Sequence, residues 1–207
     1  MFITFEGPDG SGKSTQISRL AERLRAAGYA VLQTREPGGT TIGEQIRHVL
    51  HDLDNTAMQP RAELLLYSAA RAQLVGEVIR PHLNRGGLVL SDRFYDSTLA
   101  YQGYGHGLEL DTLRHIQAFA TGGLTPDLTL LFDIDAETGL SRRKVGDGEW
   151  NRLDAYALEF HNRVRDGYLA LSEAEPKRWV RLDAAQSVET LAARVWDAVA
   201  LRLSTVA

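Results

Sequence analysis

The stretch "FEGPDGSGKST" (5–15) constrains the fold of this 207-residue chain more than any other part of the sequence. The pattern G-x4-G-K-S begins at Gly7, directly after "FITFE" (2–6), an apolar run rich in residues that favour strands. A helical pattern then extends from residue 14 to about residue 27. This order of strand, glycine-rich loop and helix is the P-loop pattern, in which backbone N–H groups and the helix N-terminus surround phosphate oxygens. The sequence therefore predicts binding of a nucleoside triphosphate.

Most residues of the loop have an expected role toward the phosphates. The ammonium of Lys13 is expected to neutralise β- and γ-phosphate oxygens, and the hydroxyl of Ser14 to reach Mg²⁺. Asp9 does not fit this role, because a carboxylate repels phosphate. The residues predicted to form the triphosphate site are Gly7, Pro8, Asp9, Gly10, Ser11, Gly12, Lys13, Ser14 and Thr15.

Strand-like and helix-like segments alternate along the rest of the chain. Further strands are expected at 30–34, 87–92, 128–135 and 178–183, and further helices at 43–50, 60–80, 93–102, 109–120, 136–144, 154–174 and 188–203. Pro81 is expected to end the helix over 60–80. This alternation predicts an α/β fold, a five-stranded parallel sheet with helices on both faces. Ligands of such sheets bind beyond the carboxyl ends of the strands.

Composition narrows the class of protein. The formal net charge of −4 gives no general electrostatic reason to bind a nucleic acid polymer or a membrane surface. The chain has no cysteine, which excludes disulfides, zinc–thiolate sites and thiol catalysis. It has neither a signal-peptide pattern nor a long apolar run, so a cytoplasmic protein is expected. The length fits a single domain over 1–207.

The patterns of nucleotide-hydrolysing switches are weak in this sequence. An Asp-x-x-Gly after an early strand is missing, and "NRLD" (151–154) follows a basic helix where a GTPase motif would follow a strand. Phosphotransfer is therefore favoured over a switch, although a nucleotide-dependent binding protein with slow hydrolysis stays an alternative.

Asp92 and Arg93 close the third predicted strand. Asp92 is expected to hold Mg²⁺ directly or through water, and Arg93 to bind a phosphate bidentately. A helix N-cap Asp beside a solvated Arg is the alternative. On a helix that begins here, Arg93, Ser97 and Tyr101 share one face, with Thr98 beside them. Such a polar wall suits the sugar and base of a nucleotide, and a half-buried helix face is the plainer interpretation.

Two further segments carry side chains suited to a nucleotide. In "LLLYSAARAQL", Tyr67 and Arg71 lie one helical turn apart, where the ring can stack on a base and the guanidinium can donate to a base carbonyl. A core aromatic and a surface arginine are the alternative. Arg35 in "TREPGGT" (34–40) ends the second strand before two glycines, which suits approach to a phosphate or a simple turn.

The segment "SRRKVGDGEWNR" (141–152) is basic around a Gly-Asp-Gly break. It predicts a mobile lid at about 141–153 that closes over the transferring phosphates and excludes water, as a kinase requires. A solvated basic helix end is the alternative. The spacing does not decide which of its basic residues reaches the phosphates: Arg142, Arg143, Lys144 or Arg152.

Several of these segments together resemble bacterial thymidylate kinases, in order and spacing from residue 2 to about residue 183. They are "FEGPDGSGKST", "TREPGGT", "LLLYSAARAQL", "SDRFYDSTLAYQG" and "PDLTLLFD". The resemblance implies transfer of a phosphoryl group from MgATP to dTMP, which gives dTDP, and a homodimer formed through helices. It also implies that lid residues supply the basic groups missing from the P-loop. Lys13, Arg93, Arg152 and Asp9 are then the expected catalytic residues.

The resemblance also assigns roles on the acceptor side. It implies that Asp9 accepts from the 3′-hydroxyl of the deoxyribose and that Tyr101 crowds the 2′ position. It further implies that Arg93 holds the monophosphate together with Arg35. It implies that Tyr67 stacks on thymine and that Arg71 binds its carbonyl edge. Thr98 and Gln102 lie where the family contacts the base or the phosphate, and Ser97 is expected to bind dTMP as part of the polar wall. Tyr67 departs from the phenylalanine more usual at its position.

A nucleoside kinase, or another nucleoside monophosphate kinase, remains the rival enzyme. A nucleoside kinase would need a general base beside a 5′-hydroxyl, and Glu6 or Glu36 could serve. Arg35 and Arg93 would then lack an acceptor phosphate to hold.

Overall fold

A computed structural model describes residues 1–145 and 151–204 of the chain. Its sheet has five strands in the order β2-β3-β1-β4-β5, and every pairing is parallel. The strands are β1 Phe2–Glu6, β2 Val31–Arg35, β3 Leu88–Asp92, β4 Leu128–Asp133 and β5 Trp179–Asp183. The predicted α/β fold with its five-stranded parallel sheet is confirmed.

Helices cover the connections between the strands. They are α1 Lys13–Ala26, α2 Thr41–His51, α3 Pro60–Leu74, α4 Arg80–Asn84, α5 Tyr95–Thr98, α6 Leu110–Thr121, α7 Ala136–Val145, α8 Leu158–Ala174 and α9 Val188–Ser204. Two π-helical segments, Val75–Ile79 and Leu99–Gly105, continue α3 into α4 and extend α5. None of the helices in the described ranges is long and apolar enough to cross a membrane.

The two faces of the sheet bury different clusters of apolar side chains. On one face, Ile3 packs in a cluster with Leu20 of α1 and Val195 of α9. On the other face, Leu131 packs with Tyr101 and Tyr168, which come from the second π-helical segment and α8. Burial on both faces explains why the inner strands are apolar without alternation.

The helix predicted to end at Pro81 continues to Asn84, so that boundary is wrong. Pro81 lies in the first turn of α4, where a missing N–H costs no helical hydrogen bond. The π-helical turn Val75–Ile79 precedes it and shifts the backbone hydrogen bonds by one residue. A local widening of the helix thus accommodates the proline.

The helix predicted over 93–102 begins later and ends later. Phe94 is extended at the N-cap, and α5 with its π-helical extension runs from Tyr95 to Gly105. Arg93 has a φ of 73°, in the left-handed region. Gly103 and Gly105, which follow the predicted helix in the sequence, lie inside the π-helical extension.

Candidate active site

A cavity of about 400 Å³ opens at the carboxyl ends of β1, β2 and β3. Most predicted site residues line it: Asp9, Gly10, Gly12, Lys13, Ser14, Thr15, Arg35, Tyr67, Arg71, Asp92, Arg93, Ser97, Thr98, Tyr101, Gln102, Arg142 and Arg143. Other predicted residues lie outside this lining, namely Gly7, Pro8, Ser11, Lys144 and Arg152. Chain segments far apart in the sequence thus converge on one cleft.

Sequence reasoning missed several residues of the lining. They are Pro37, Arg47 and His51, with Asn151 and Leu153 at the end of the predicted lid; Glu36, considered above as a general base of a nucleoside kinase, also lines the cavity. Arg47 and His51 lie one turn apart on α2 and therefore share a face, a basic pair that the sequence could have indicated. Burial and the neighbouring cation Arg47 lower the pKa of His51 to about 4, so its imidazole is neutral at pH 7.

The P-loop wraps around the ammonium of Lys13. Its Nζ donates to the carbonyl oxygens of Gly7 and Pro8, at 3.0 and 2.8 Å, and to Ser11 Oγ at 3.3 Å. Burial and the nearby Arg93 guanidinium lower the pKa of Lys13 to about 8, against the opposing effect of carboxylates. A phosphate beside this ammonium would raise its pKa again.

The loop also lies against the helix that leads toward the predicted lid. A Cβ added to Gly10 would collide with the backbone oxygen of Gly139 in α7, and one added to Gly139 would lie 2.7 Å from the backbone oxygen of Asp9. Glycine at both positions allows the two backbones to approach. The start of the lid is therefore coupled by direct contact to the phosphate loop.

Ser14 and Asp92 meet at the mouth of the P-loop. Ser14 Oγ donates to Asp92 Oδ2 at 2.8 Å, which brings a hydroxyl and a carboxylate together across β1 and β3. The alternative role of Asp92 as an N-cap is wrong, because Phe94 occupies the N-cap of α5. Two hard oxygen donors beside a triphosphate loop suit a divalent cation such as Mg²⁺.

Arg93 makes a dense set of contacts despite its left-handed backbone. Its guanidinium donates to Asp9 Oδ1 at 2.7 Å, to Gly7 O at 3.1 Å and to the hydroxyls of Ser97 and Tyr101 at 3.1 and 3.3 Å. The expected common face of Arg93, Ser97 and Tyr101 is therefore present, although Arg93 precedes the helix. The alternative of a solvated arginine is wrong.

Asp9 lies on the side of the loop that faces Arg93. Its second oxygen accepts from the hydroxyl of Tyr101 at 3.0 Å. Burial alone would raise the pKa of Asp9, but the cations Arg93 and Lys13 hold it well below its usual value. The carboxylate is thus ionised and paired with cations, which removes the conflict with phosphate binding in the same loop.

Arg71 is buried, with 1% of its surface exposed, so the surface-arginine alternative is wrong. Its Nε donates to Glu36 Oε2 at 2.7 Å, and its Nη1 donates to Thr98 Oγ1 at 2.9 Å and to Gln117 Oε1. Gln117 on α6 also donates to Ser68 at 3.0 Å, which fixes its amide. A set of acceptors thus holds the Arg71 guanidinium beside the cavity.

Gln102 and Arg152 share the same buried partner, Glu63 of α3. Gln102 Nε2 donates to Glu63 Oε1 at 2.6 Å, and Arg152 forms an ion pair with the other oxygen. Arg152 also donates to the hydroxyl of Tyr156 at 2.7 Å and to Leu50 O at 3.2 Å. Its guanidinium is therefore held away from the P-loop, whereas the expectation placed it among the phosphates.

The beginning of the predicted lid does reach the cavity. Arg142 Nη1 donates to Ala184 O at 2.9 Å, and Arg143 Nε lies 3.3 Å from Asp154 Oδ2. The predicted lid at 141–153 also includes residues 146–150, which lie outside the described residues. Arg142 and Arg143 are thus the predicted lid arginines that line the cleft.

Comparison with known proteins identifies the family. A model of the family described as thymidylate kinase matches residues 5–195. That match covers most of the chain.

The chain belongs to the thymidylate kinase family.

Curated relatives agree with this assignment over nearly the full length. A thymidylate kinase of Roseiflexus sp. (strain RS-1) is 55% identical, with 94% of this chain and 91% of the relative covered. One of Deinococcus radiodurans is 54% identical, with 98% and 97% covered. The crystal structure of thymidylate kinase from Ehrlichia chaffeensis is 36% identical, has a TM-score of 0.73, and covers 88% of this chain and 91% of that chain. This member of the thymidylate kinase family is therefore an enzyme, a kinase.

Proposed function

We propose that the chain transfers a phosphoryl group from MgATP to dTMP, giving ADP and dTDP. The observation that carries this proposal is the Asp9–Arg93–Tyr101 cluster, which lines the same cavity as the phosphate loop. The cleft thus offers one anion site for a donor and a second, across Asp9, for an acceptor. Membership of the thymidylate kinase family supports dTMP as that acceptor.

On the donor side, Lys13 and the backbone of the P-loop would bind the triphosphate. Transfer of the Lys13 ammonium from the loop carbonyls to phosphate oxygens would keep its hydrogen bonds satisfied. Arg142 and Arg143, which line the cavity, would add positive charge that the loop positions Pro8, Asp9 and Ser11 lack. Positioning and charge neutralisation are sufficient, because an acceptor phosphate is already a nucleophile and needs no general base.

Ser14 and Asp92 would hold Mg²⁺, with phosphate oxygens and water as the remaining ligands. Among the described residues no cluster of three acidic, histidine or cysteine side chains could hold a metal ion alone, which suits an ion that arrives with its nucleotide. The bound ion would neutralise charge on the β- and γ-phosphates.

On the acceptor side, Tyr67 and Arg71 would bind the base. Tyr67 lines the cavity, where its ring can stack. The Arg71 guanidinium lines it too, and since its N–H groups are all directed to Glu36, Thr98, Gln117 and Phe94 O, it would exchange or share one of these acceptors to bind a base carbonyl. Thr98 and Gln102 line the same region, and Arg35 with Arg93 would hold the monophosphate. Asp9 would accept from the 3′-hydroxyl.

The catalytic role expected of Arg152 requires the guanidinium to leave Glu63. That ion pair is buried on both sides, so its release would need a rearrangement of the segment that follows the lid. Arg143 already lines the cleft, where its guanidinium pairs with Asp154 at 3.3 Å. A mobile lid over about 141–153 stays part of the proposal.

The reaction is tested by release of ADP with and without each nucleoside monophosphate. Turnover that depends on dTMP, with little turnover on dCMP, dGMP or dAMP, is the expected result. Hydrolysis of ATP without an acceptor would instead favour a nucleotide-dependent switch. Turnover on thymidine in place of dTMP would favour a nucleoside kinase.

A homodimer formed through helices belongs to the same proposal. The neighbouring helices α2, α3 and α6 pack side by side, and each leaves apolar side chains exposed: Ile42 and Val49, Leu65, and Phe119. Phe119 is 91% exposed, which is unfavourable unless another surface covers it. A second copy of the chain is the proposed cover.

Sedimentation distinguishes a dimer from a monomer of 22.9 kDa. Phe119→Glu is expected to shift the protein toward the monomer, and the control Leu201→Glu, at an exposed apolar residue on α9, is expected to leave the dimer intact. A wild-type protein that sediments only as the monomer would overturn the dimer. A cytoplasmic location stays a prediction from the sequence.

A further inference from the structure

Glu6 is the last residue of β1 and directly precedes the P-loop. None of its surface is exposed, and it does not line the cavity. Three donors reach its carboxylate: the Phe94 N–H at 2.7 Å, Ser97 Oγ at 2.6 Å and the Tyr168 hydroxyl at 3.1 Å. These donors come from the segment after β3 and from α8, so Glu6 joins separate parts of the acceptor side.

The two hydroxyls that donate to Glu6 also contact Arg93. Arg93 Nη1 lies 3.1 Å from Ser97 Oγ and 2.9 Å from the Tyr168 hydroxyl, and these two hydroxyls lie 2.8 Å apart. A hydroxyl has one proton to donate, and its lone pairs accept. When both protons point to the Glu6 carboxylate, both sets of lone pairs can face the Arg93 guanidinium.

The backbone of Arg93 is fixed at the same point. Its φ of 73° is unfavourable for a residue with a Cβ and persists only where neighbours enforce it. The Arg93 N–H donates to Phe5 O at 3.0 Å, its carbonyl accepts from Ser91 Oγ at 2.7 Å, and the next N–H, of Phe94, donates to Glu6. Glu6 therefore fixes the C-terminal side of the left-handed turn at Arg93.

We propose that Glu6 is a positioning residue for Arg93. Its carboxylate fixes the left-handed turn and directs the hydroxyls of Ser97 and Tyr168, so that the Arg93 guanidinium is held across the P-loop where a transferring phosphate would meet it. The inference rests on the proposed role of Arg93 in phosphoryl transfer. It gives a buried carboxylate at the end of β1 a function other than that of a general base.

The charged groups around Glu6 make its effect on the position of Arg93 sensitive to pH. Glu6 faces the anion Asp96 of α5, the cation Arg93, and the hydroxyls of Ser97 and Tyr168, and Lys13 of α1 lies near. Burial and Asp96 raise the pKa of Glu6 to about 7, against the effect of Arg93. A protonated Glu6 can donate a hydrogen bond, which turns one of the two hydroxyls away from Arg93.

A double-mutant cycle between Glu6→Gln and Arg93→Met tests the inference. If Glu6 acts through Arg93, Glu6→Gln should lower kcat/KM for dTMP by about 10- to 100-fold in the wild-type background. It should lower it by less than about threefold when Arg93 is already Met. An equal loss in both backgrounds would overturn the proposal. The same cycle on dTMP affinity, measured by calorimetry, applies if turnover of Arg93→Met is too low to measure.

Asp133→Asn is the matched control, because Asp133 is a buried carboxylate at the end of the adjacent strand β4 and pairs with Arg165 and Arg181. Asp133→Asn is expected to lower kcat/KM for dTMP by the same factor in the wild-type background and in Arg93→Met. Tyr168→Phe removes one directed hydroxyl and keeps the ring, so it provides a second cycle with Arg93→Met if Glu6→Gln does not fold. If Tyr168→Phe lowers kcat/KM by the same factor with and without Arg93→Met, the proposal is overturned as well.

The pH profile gives an independent measurement. Wild-type kcat/KM is expected to rise as Glu6 ionises near pH 7, in addition to the rise from the second ionisation of the acceptor phosphate at about pH 6. Glu6→Gln cannot ionise and should keep only the part due to the phosphate. A profile of Glu6→Gln that is superimposable on the wild-type profile counts against the proposal. Absence of dTMP-dependent turnover in the wild type would mean instead that the proposed function has failed.

Discussion

The Asp9 carboxylate lies 2.7 Å from the Arg93 guanidinium, and this ion pair joins the P-loop to the segment that follows β3. It explains a carboxylate inside a loop that binds phosphate. Arg93 balances the charge of Asp9, and the second carboxylate oxygen accepts from the Tyr101 hydroxyl at 3.0 Å. The loop can therefore bind a donor phosphate with its backbone and an acceptor with this one side chain.

Asp9→Ala is expected to narrow the difference in kcat/KM between dTMP and its 3′-deoxy analogue. The hydrogen bond from a 3′-hydroxyl to a charged carboxylate stabilises binding by about 1.5–3 kcal/mol, and only dTMP makes it. Loss of the ion pair with Arg93 affects both acceptors, so the ratio of the two kcat/KM values is the measurement. An equal loss on both acceptors would show that the carboxylate serves the loop or the metal instead.

Tyr101→Ala is expected to relax discrimination against ribothymidine monophosphate. The ring of Tyr101 is 6% exposed and packs against Phe160 and Tyr168, so it cannot move aside for a 2′-hydroxyl. Tyr101→Phe keeps the ring and loses the hydrogen bonds to Asp9 and Arg93. It should therefore keep the sugar selectivity while kcat falls. Selectivity lost equally in both variants would assign it to the hydroxyl.

Arg152→Ala is expected to lower the free energy of unfolding by about 3 kcal/mol, because it leaves the buried Glu63 carboxylate without its cation. If Arg152 also reaches the phosphates, kcat falls more than dTMP affinity at temperatures where the variant is folded. Arg143→Ala leaves the buried Asp154 carboxylate with the Asn151 N–H as a remaining donor, so it should also lower stability, but by less than Arg152→Ala because Arg143 is the more exposed arginine. Unchanged kcat in Arg152→Ala would transfer the catalytic role to Arg142 or Arg143.

Binding of MgATP is expected to take up protons near pH 8. The pKa of Lys13 is lowered to about 8 in the free protein, and phosphate beside the ammonium raises it again. Affinity should therefore fall as the pH rises through 8, and about half a proton should be bound per nucleotide at pH 8. Calorimetry in two buffers of different ionisation enthalpy measures this uptake, which Lys13→Arg should abolish. The same uptake in Lys13→Arg would assign it to another group.

Gln117→Leu is expected to weaken discrimination between dTMP and dCMP. Gln117 holds the Arg71 guanidinium, which is proposed to bind the base, and removal of the Gln117 amide frees the arginine to rotate. Gln117→Glu keeps an acceptor and should restore most of the selectivity. Gln16→Leu, at another buried glutamine that contacts Val188 O, is the control for stability. The ratio of kcat/KM values for the two acceptors should change only in Gln117→Leu.

The sequence by itself determined the P-loop and the parallel sheet. Both depend on local rules, because glycine at positive φ, the strand before it and the helix after it lie within a few residues of one another. The apolar strands and their alternation with helices depend on burial of both faces of the sheet, which the pattern of side chains records directly. These features could be predicted without knowledge of any long-range contact.

Only the tertiary structure decided which partners hold the functional side chains. Gln117 fixes Arg71, although the two residues lie 46 positions apart in the sequence. Arg152 pairs with Glu63, which lies on α3. Arg93 is held by the hydroxyls that donate to Glu6. Packing brings several acceptors within reach of one side chain. The arrangements that use different acceptors differ in free energy by little more than one hydrogen bond. Local spacing therefore fixes where a residue lies on its element, while packing between elements fixes what its charge contacts.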